Sequence, residues 1–295
     1  MDKLLVIGAT GLLGSKTFQL AKDKYETYGT YSSNKQASLE HLNVANRVQV
    51  ELLIKKIKPD FVIDTHALNN VDYCETHQEE AFRINVQGSI NIAQACHLIN
   101  AKYAFISSDY VFDGHKKIFT EVDKCTPLNY YGKTKCATEA LLGALSIDYI
   151  SARTSSIYGL GSSTGKKSFI PWLIENLKNG SPTKIISDLY YSPTYNVDIA
   201  ESLFSLYQNN KSGIFHIVGK DCISKYSFAQ YICEEFGYDT ELLIPENFSK
   251  IGQKAKRPKK VKMSMNKLIK TISKQPSDVK TGLKKLHKEM EICEY

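Results

Sequence analysis

The chain has 295 residues, of which 42% are hydrophobic and 23% are charged, and its formal net charge is +7. Such a chain can bury a large core as one domain with a smaller companion, and the composition is that of an ordinary globular protein. No apolar run approaches the roughly 18 residues of a membrane span, and no secretory signal precedes the first strand, so we expect a cytoplasmic protein that does not bind membranes.

Strands and helices alternate in the first half of the chain. Continuous apolar runs predict strands that are buried on both faces, and the candidates are Lys3–Gly8, Glu26–Ser32, Asp60–Thr65, Tyr103–Ser108 and Asp148–Arg153. A helical pattern of apolar residues covers Glu79–Leu98. This alternation predicts an α/β fold with a parallel sheet and right-handed crossovers.

The pattern loosens after Gly159. The predicted elements there are a loop at Gly161–Lys167, a helix over Phe169–Asn179, a helix from the cap Asn196 to Tyr207, a strand at Gly213–Val218 and a helix over Lys225–Phe236 with Ser224 as its cap. We expect residues 1–159 and 187–219 to form one domain. Residues 160–186 and 220–295 are predicted to form a smaller α/β domain that binds the substrate.

The first predicted strand runs directly into GATGLLG, which places Gly8, Gly11 and Gly14 at G-x-x-G-x-x-G spacing. Glycines at these points permit a tight turn, close approach of the backbone to a pyrophosphate and close packing of helix on strand. The following helix offers free N–H groups and a positive dipole end to the same anion. We predict a dinucleotide-binding site in a Rossmann-type, doubly wound parallel sheet.

The end of the second predicted strand bears on the choice of dinucleotide. An acid there would bind the adenosine ribose of NAD and repel the 2′-phosphate of NADP. The chain instead has Tyr31, Ser32, Ser33, Asn34 and Lys35, with small donors, a cation and no acid. This favours NADP(H) over NAD(H), although a polar surface loop would leave the choice open.

Two strand-end serines and a Tyr-x-x-x-Lys motif indicate the chemistry. The run YAFISS carries Ser107 and Ser108 to the carboxyl end of a strand, where open α/β sheets bind ligands. Tyr131 and Lys135 share one face if PLNYYGKTK is helical, and the cation would favour the phenolate, so that Tyr131 could exchange a proton near neutral pH. Ser108, Tyr131 and Lys135 together supply what hydride transfer to a ketone needs; a buried serine and an ordinary surface pair are the alternative.

Positive charge is concentrated near the C-terminus, where residues 250–288 contain 14 Lys and Arg and a single acid. A solvated basic face on C-terminal helices is the first interpretation, and attraction of a small molecule with a pyrophosphate is the second. Nucleic acid is disfavoured because no Phe, Tyr or Trp lies between Phe248 and Tyr295.

Seven cysteines are present, which is an odd number, and no C-x-x-C pair occurs among them. We therefore expect reduced thiols, several of them buried, rather than disulfides. His, Cys and Asp residues do not cluster at the spacing of metal ligands, so no metal site is predicted.

Eight motifs occur in an order that resembles a known family. They are GATGLLG (8–14), NNVDYCE (69–75), INVQGSINIAQA (84–95), ISSDYVFDG (106–114), PLNYYGKTK (127–135), ARTSSIYG (152–159), SPTY (192–195) and RPKK (257–260). They span nearly the whole chain, and SSDYVFDG with YGKTK is highly specific. The chain is similar to the extended short-chain dehydrogenase/reductases, in particular to the dTDP-4-dehydrorhamnose reductase branch.

The resemblance implies NADPH-dependent reduction of the 4-keto group of a nucleotide-linked 6-deoxyhexose, and a homodimer is compatible with it. By motif, Ser108 takes the Ser/Thr role, Tyr131 is the acid and Lys135 the supporting cation. From the loop, the strand end and the motifs, the predicted cofactor-binding residues are Gly8, Thr10, Gly11, Leu12, Leu13, Gly14, Tyr31, Ser32, Ser33, Lys35, Asn43, Val44, His66, Ala67, Leu68, Ser107, Tyr131 and Lys135. The predicted substrate-binding residues are Asn69, Ser108, Asp109, Tyr110, Ser156 and Arg257.

Two departures from the family pattern concern the sugar. Members often read R-T-S-W-x-Y-G, but Ser156 stands at the tryptophan position here, and Leu189 follows Asp188 where members often have Gln. Loss of a large aromatic face removes a contact worth on the order of 1 kcal/mol, so a different nucleotide sugar is one alternative. The regulatory β-subunit of methionine adenosyltransferase shares SSDYVFDG and YGKTK, so a non-catalytic NADP-binding subunit is the other.

Overall fold

A computed structural model describes residues 1–145, 147–161, 168–250 and 252–293. Its centre is a seven-stranded sheet, and three two-stranded sheets accompany it among these residues. The strands are β1 (Lys3–Ile7), β2 (Glu26–Tyr31), β3 (Glu40–His41), β4 (Phe61–Asp64), β5 (Lys102–Ser108), β6 (Tyr149–Thr154), β7 (Ile157–Tyr158), β8 (Thr183–Ile186), β9 (Tyr190–Tyr191), β10 (Thr194–Tyr195), β11 (Gly213–His216), β12 (Ile223–Ser224) and β13 (Leu243–Glu246).

All seven strands of the central sheet are parallel, in the order β11-β6-β5-β4-β1-β2-β3. The chain order reverses between β1 and β4, so the crossovers cover both faces, and one buried apolar cluster lies on each face. The predicted doubly wound parallel sheet is therefore confirmed. In such sheets, ligands bind outside the carboxyl ends of the strands where the order reverses.

The helices pack around these sheets. They are α1 (Leu12–Ala21), α2 (Arg47–Ile57), α3 (Val71–Thr76), α4 (Gln78–Phe82), α5 (Ser89–Leu98), α6 (Tyr130–Ala144), α7 (Phe169–Lys178), α8 (Asn196–Gln208), α9 (Lys225–Phe236), α10 (Asn266–Ile272) and α11 (Val279–Cys293). The predicted bounds of α9 agree with the structure, and its cap Ser224 accepts a hydrogen bond from the Ser227 backbone N–H at 2.9 Å. No helix of the described residues is long and apolar enough to cross a membrane.

Two predicted elements differ from the structure in detail. Asn196 is the first residue of α8 rather than its cap, which is Tyr195. Its side-chain amide instead donates to the carbonyl oxygens of Leu12 at 3.0 Å and Leu160 at 2.7 Å, so it joins α8 to two loops. The predicted strand at 213–218 ends earlier, at His216. Residues 162–167 of the predicted Gly161–Lys167 loop lie outside the described residues.

The predicted helix over 79–98 has a π-helical turn, Arg83–Gly88, between α4 and α5. Within that turn, Asn85 accepts a hydrogen bond from the Leu68 backbone N–H at 2.7 Å and donates to the Thr134 hydroxyl at 3.2 Å. A Cβ atom on Gly88 would lie 2.7 Å from Val44 Cγ2, which is too close for any larger residue. The irregular turn therefore lies against the loops that follow β3 and β4.

A further apolar cluster belongs to the second half of the chain. Leu173, Ile185, Phe228 and Leu283 are among its buried members, and they come from α7, β8, α9 and α11. Strand β13 pairs with β8 in parallel next to this cluster. The cluster has the size expected of a companion core, while the boundaries of the two domains remain a prediction.

Candidate active site

A cleft of about 790 Å³ opens at the carboxyl ends of the central strands, where the strand order reverses. Most of the predicted cofactor-binding residues line it, namely Gly8, Thr10, Gly11, Leu12, Leu13, Gly14, Tyr31, Ser32, Asn43, Val44, His66, Ala67, Leu68, Ser107, Tyr131 and Lys135. Ser33 and Lys35 do not line the cleft; both are exposed beyond the end of β2. The binding roles of all these residues remain predictions.

The glycine loop has the close backbone approach that its spacing predicts. Gly8 has φ +79°, a conformation that larger residues rarely adopt, and its N–H donates to Thr30 Oγ1 at 3.1 Å. A Cβ atom on Gly14 would lie 2.1 Å from the Gly8 carbonyl oxygen and 2.5 Å from Thr65 Oγ1. The N-terminus of α1 is thereby held against the loop, where its N–H groups can meet a phosphate.

We expect Gly14→Ala to weaken NADPH binding by at least about tenfold, since displacing the α1 N-terminus removes charge-assisted hydrogen bonds to phosphate. Gly143→Ala, on the exposed side of α6, is the matched control, because its Cβ would meet only the Tyr149 hydroxyl at 3.8 Å. Titration of NADPH fluorescence measures both variants. Equal affinity of Gly14→Ala and wild type would contradict the assignment of this loop.

The floor of the cleft is held by a buried carboxylate. Asp64 contacts His66 Nδ1 and accepts hydrogen bonds from the Tyr103 hydroxyl at 2.6 Å and the Ser89 hydroxyl at 3.1 Å. Burial opposes ionisation, but the charge and hydrogen bond of His66 outweigh it and hold the pKa of Asp64 below its usual value. The other ring nitrogen of His66 lies 3.0 Å from the Ile84 carbonyl oxygen, so the imidazole is fixed on both sides.

Two buried hydroxyl groups in the cleft have no hydrogen-bond partner among the described residues. They are Ser107 Oγ at the end of β5 and Thr154 Oγ1 at the end of β6. Buried polar groups in native proteins are nearly always paired, so these two atoms are suited to a polar ligand. Together with the glycine loop, they fit a dinucleotide whose nicotinamide end reaches β5 and β6.

Helix α6 carries the Tyr-x-x-x-Lys motif, as predicted, and its first turn is fixed from several sides. The Asn129 side chain caps the helix by accepting from the Gly132 N–H at 2.8 Å, and it donates to the Lys256 carbonyl oxygen at 2.9 Å. A Cβ atom on Gly132 would lie 2.2 Å from the Tyr110 carbonyl oxygen. The start of α6 therefore packs directly on the backbone that follows β5.

The structure brings Ser108, Tyr131 and Lys135 together at one end of the cleft. The Ser108 hydroxyl partly offsets the burial that raises the pKa of Tyr131. Lys135 Nζ lies 5.7 Å from the centroid of the Tyr131 ring and donates to the Ile106 carbonyl oxygen at 2.8 Å. A hydroxyl pair with a fixed cation behind it can bind and protonate a carbonyl oxygen.

The expected lowering of the Tyr131 pKa is not what the structure indicates. Burial raises the pKa of this phenol, and the charge of Asp109 adds to the effect. The ammonium group of Lys135 is directed to the Ile106 carbonyl oxygen instead, and burial lowers its own pKa to about 8. Tyr131 is accordingly a protonated phenol at neutral pH, which suits a proton donor rather than a base.

A second buried carboxylate adjoins this triad. Asp109 accepts hydrogen bonds from the Ser155 hydroxyl at 2.5 Å and the Ser108 hydroxyl at 3.1 Å. Burial raises its pKa to about 6, and the two serine hydrogen bonds only partly offset that. The chain therefore keeps an acidic group beside Ser108 that is costly to ionise.

We expect Asp109→Asn to stabilise the fold at pH 8. Folding raises the pKa of Asp109, so the protonated carboxyl stabilises the fold at low pH. This stabilisation is lost as the pH rises through about 6. The variant should thus gain on the order of 2 kcal/mol in the free energy of unfolding at pH 8 and little near pH 4. Urea unfolding at both pH values measures this, with the exposed Asp23→Asn as control; a pH-independent difference would contradict the buried charge.

The predicted substrate-binding residues divide into two groups. Asn69, Ser108 and Ser156 line the cleft, whereas Asp109, Tyr110 and Arg257 lie behind that surface. Ser156 is exposed with φ +31°, so its backbone is strained for a non-glycine residue. Such strain is a common mark of functional sites.

Arg257 is already engaged by the protein. Its Nη2 atom lies 3.0 Å from Asp72 Oδ2 and its Nη1 atom 3.2 Å from Asp72 Oδ1, and its charge partly offsets the burial that raises the pKa of Tyr110. The Tyr110 ring in turn lies 6.2 Å from the Tyr131 ring, edge to face. Arg257 therefore joins the basic segment to the residues around Tyr131.

Sequence reasoning missed several residues of the cleft. These are Ile7, Thr30, His41, Leu42, Thr65, Ile84, Ile106, Thr154 and Ile157. Thr65 and Thr154 could have been predicted, because they end or follow predicted strands, as Ser107 and Ser108 do. Ile84 could not have been predicted, since its carbonyl oxygen reaches His66 only through the π-helical turn.

The whole length of the chain matches a known family model. That model describes the RmlD substrate binding domain, and it covers residues 2–292. The chain belongs to the RmlD substrate binding domain family. This membership confirms the resemblance to the extended short-chain dehydrogenase/reductases and the prediction of an oxidoreductase.

Relatives in the RmlD substrate binding domain family cover most of the chain. Spore coat polysaccharide biosynthesis protein SpsK of Bacillus subtilis is 32% identical, over 88% of this chain and 87% of that protein. The dTDP-4-dehydrorhamnose reductase of Aggregatibacter actinomycetemcomitans is 30% identical, over 97% of this chain and 98% of that protein. The Methionine adenosyltransferase 2 subunit beta of Mus musculus is 27% identical, over 96% and 86%.

A solved structure of the same type contains a dinucleotide. The dTDP-4-dehydrorhamnose reductase of Bacillus anthracis, in complex with NADP, superposes with a TM-score of 0.89 at 27% identity and covers 98% of this chain and 99% of that one. This likeness supports NADP binding by the RmlD-type fold described here. It does not distinguish NADP from NAD in this chain.

Proposed function

We propose that this protein is an NADPH-dependent reductase of the 4-keto group of a nucleotide-linked 6-deoxyhexose. The observation that carries the proposal is the meeting of Ser108, Tyr131 and Lys135 at the nicotinamide end of a dinucleotide cleft. The relatives named as dTDP-4-dehydrorhamnose reductases support the substrate class. Cytoplasmic location and a homodimer stay as predicted from the sequence.

Each of the three side chains has a separate role in carbonyl reduction. NADPH supplies the hydride when it is bound. Ser108 turns its hydroxyl, which donates to Asp109 in this structure, to the substrate carbonyl oxygen, and Tyr131 transfers its phenolic proton to that oxygen as negative charge develops on it. Lys135 stabilises the phenolate that remains, since its ammonium group lies 5.7 Å from the ring centroid in a buried site. The phenol regains a proton from solvent.

NADPH is the proposed hydride donor in preference to NADH. Ser32 lines the cleft at the end of β2, and no acid follows it before residue 40. A 2′-phosphate would therefore meet hydroxyl groups and not a carboxylate, which would repel it. Ser33 and Lys35 lie further out, and we propose that they approach the phosphate when the loop 32–38 closes on it.

The sugar would occupy the space bordered by Asn69, Ser108 and Ser156, with Asp109 and Tyr110 behind it. Ser156 leaves more room there than the tryptophan that is frequent in the family. A bulkier or differently oriented hexose than 4-dehydrorhamnose would fit this wider border. The identity of the sugar and of its nucleotide base is therefore part of the test.

A regulatory NADP-binding subunit is the second candidate. The similarity to the β-subunit of methionine adenosyltransferase favours it. The buried Tyr131 favours catalysis instead, because Lys135 is buried with no ion-pair partner in the described part of the chain, which is costly in a site that does no chemistry. The two candidates make opposite predictions for turnover.

NADPH oxidation with a panel of nucleotide-linked 4-keto-6-deoxyhexoses tests the proposal. We expect turnover of at least one dTDP-, UDP- or GDP-linked member, with NADH less effective. Tight NADPH binding without turnover of any member would overturn the reductase and favour the regulatory subunit. A parallel assay with Lys135→Met distinguishes slow enzymatic turnover from background oxidation.

A further inference from the structure

A lysine beside the candidate active site has no acidic partner. Lys225 is the first residue of α9, is only partly exposed, and places its ammonium group 4.4 Å from the centroid of the Phe169 ring. Among the described residues, it forms no ion pair, and burial with the charge of Arg257 lowers its pKa. A charge held away from water without a counter-ion destabilises the protein unless an anionic ligand binds there.

The nearby arginine already has an acidic partner. Arg257, which the sequence predicts as a substrate-binding residue, forms a two-pronged ion pair with Asp72. Its guanidinium charge is therefore already balanced. Arg257 is close enough to Lys225 to affect its pKa, so the two cations lie in one region and only the lysine lacks an acid.

Backbone pairing connects Lys225 to the edge of the cleft. The Lys225 N–H donates to the Leu189 carbonyl oxygen at 3.3 Å, and β12 pairs antiparallel with β9 through Ile223 and Tyr191. Ser192, which follows Tyr191, donates its backbone N–H to Ser155 Oγ at 3.3 Å, and the next residue, Ser156, lines the cleft. Lys225 is thus connected through one strand pair to the border of the sugar space.

The chemistry of a nucleotide sugar matches this arrangement. Its diphosphate is attached to C1, across the sugar ring from the 4-keto carbon. With the keto group at Tyr131 and the ring along Ser156, the diphosphate points away from the dinucleotide toward β12 and α9. A lysine binds phosphate as a point charge, and the N-terminus of a twelve-residue helix adds to the attraction.

We propose that Lys225 binds the diphosphate of the nucleotide sugar, with Phe169 holding its ammonium group in place. The proposal depends on the proposed function only for the class of substrate. It leaves Arg257, predicted from the sequence as a substrate-binding residue, the task of positioning residues 254–257 against Asp72.

Calorimetric titration of the NADP-bound protein tests this with dTDP, UDP, inorganic pyrophosphate and thymidine as probes. Lys225→Met should weaken binding of the two nucleotides and of pyrophosphate by about 10- to 150-fold, the range for a lost hydrogen bond to a charged group. Lys225→Arg should bind within about threefold of wild type, because charge is retained. Thymidine should be unaffected by either substitution.

Lys280→Met is the matched control, because Lys280 also lies over an aromatic ring, that of Tyr231 at 5.2 Å, but on α11. It should bind all probes as wild type does. Should Lys225→Met fail to fold, acetylation footprinting of wild type replaces it. Bound dTDP should then protect Lys225 and leave Lys280 reactive, and equal reactivity of Lys225 with and without dTDP would overturn the proposal.

The outcomes separate this proposal from the reductase. Lys225-dependent binding of dTDP or UDP without any turnover would retain the diphosphate site and reject the reductase. Turnover with an unchanged KM in Lys225→Met would retain the reductase and reject the site. Loss of NADP binding in Lys225→Met would also reject it, since Lys225 is assigned to the sugar nucleotide alone.

Discussion

Tyr131→Phe is expected to lower kcat for nucleotide-sugar reduction by about 10²- to 10⁴-fold, the contribution of a positioned general acid. The variant keeps the ring that packs edge to face on Tyr110 and loses only the phenolic hydroxyl. NADPH affinity should therefore change little. Steady-state turnover with the best substrate of the panel, and NADPH fluorescence titration, measure the two quantities.

Tyr130→Phe is the control, because Tyr130 adjoins Tyr131 in the first turn of α6 but does not line the cleft. It should retain wild-type kcat. Unchanged turnover in Tyr131→Phe would refute the role of Tyr131 as the acid. A tenfold loss of NADPH affinity without loss of kcat would instead assign Tyr131 to cofactor binding alone.

Arg153→Met is expected to lower the free energy of unfolding by about 3–5 kcal/mol, as for other buried ion pairs that lose one partner. Arg153 and Glu139 are 3% and 4% exposed, and their closest contact is 2.7 Å from Nη2 to Oε2. Removal of the guanidinium leaves the Glu139 carboxylate with two neutral donors among the described residues, the Ser151 hydroxyl at 3.0 Å and the Cys125 thiol at 3.8 Å. Urea unfolding at neutral pH measures the loss.

The double variant Arg153→Met/Glu139→Leu tests the reason for that loss. Because it removes both charges, it should be more stable than Arg153→Met alone. Arg47→Met is the control at an exposed pair with Glu51, where little or no loss of stability is expected. If the double variant is as unstable as the single one, packing rather than an unpaired charge limits stability.

The parts of the site that depend on local spacing were predictable from the sequence. Gly8 and Gly11 lie in the turn after β1 and Gly14 in the first turn of α1, and Tyr131 and Lys135 lie on one face of α6, because both patterns are set by backbone geometry within a few residues. The parallel arrangement of the central strands followed from their alternation with helices.

The parts that depend on distant contacts were not predictable. Nothing in RPKK indicates that Arg257 would pair with Asp72, which is 185 residues away. The predicted shift of the Tyr131 pKa was also wrong in direction. The Tyr-x-x-x-Lys spacing shows the nearby cation but not the burial, which raises the pKa. Lys225 was not predicted as a site, because a lysine at the start of a helix is common and local sequence does not show its neighbours in the fold.

The π-helical turn at 83–88 has a consequence for how this gene can change. It contains Asn85, which holds Leu68, and precedes Asn91, whose amide donates to the Val44 carbonyl oxygen at 3.0 Å. Deletion of one residue between these two asparagines would restore regular α-helix and bring them closer by about 1.5 Å along the helix axis. Asn85 and Asn91 could then no longer reach both loops at once, so we expect this stretch to tolerate the loss of a single codon less well than point substitutions away from Gly88.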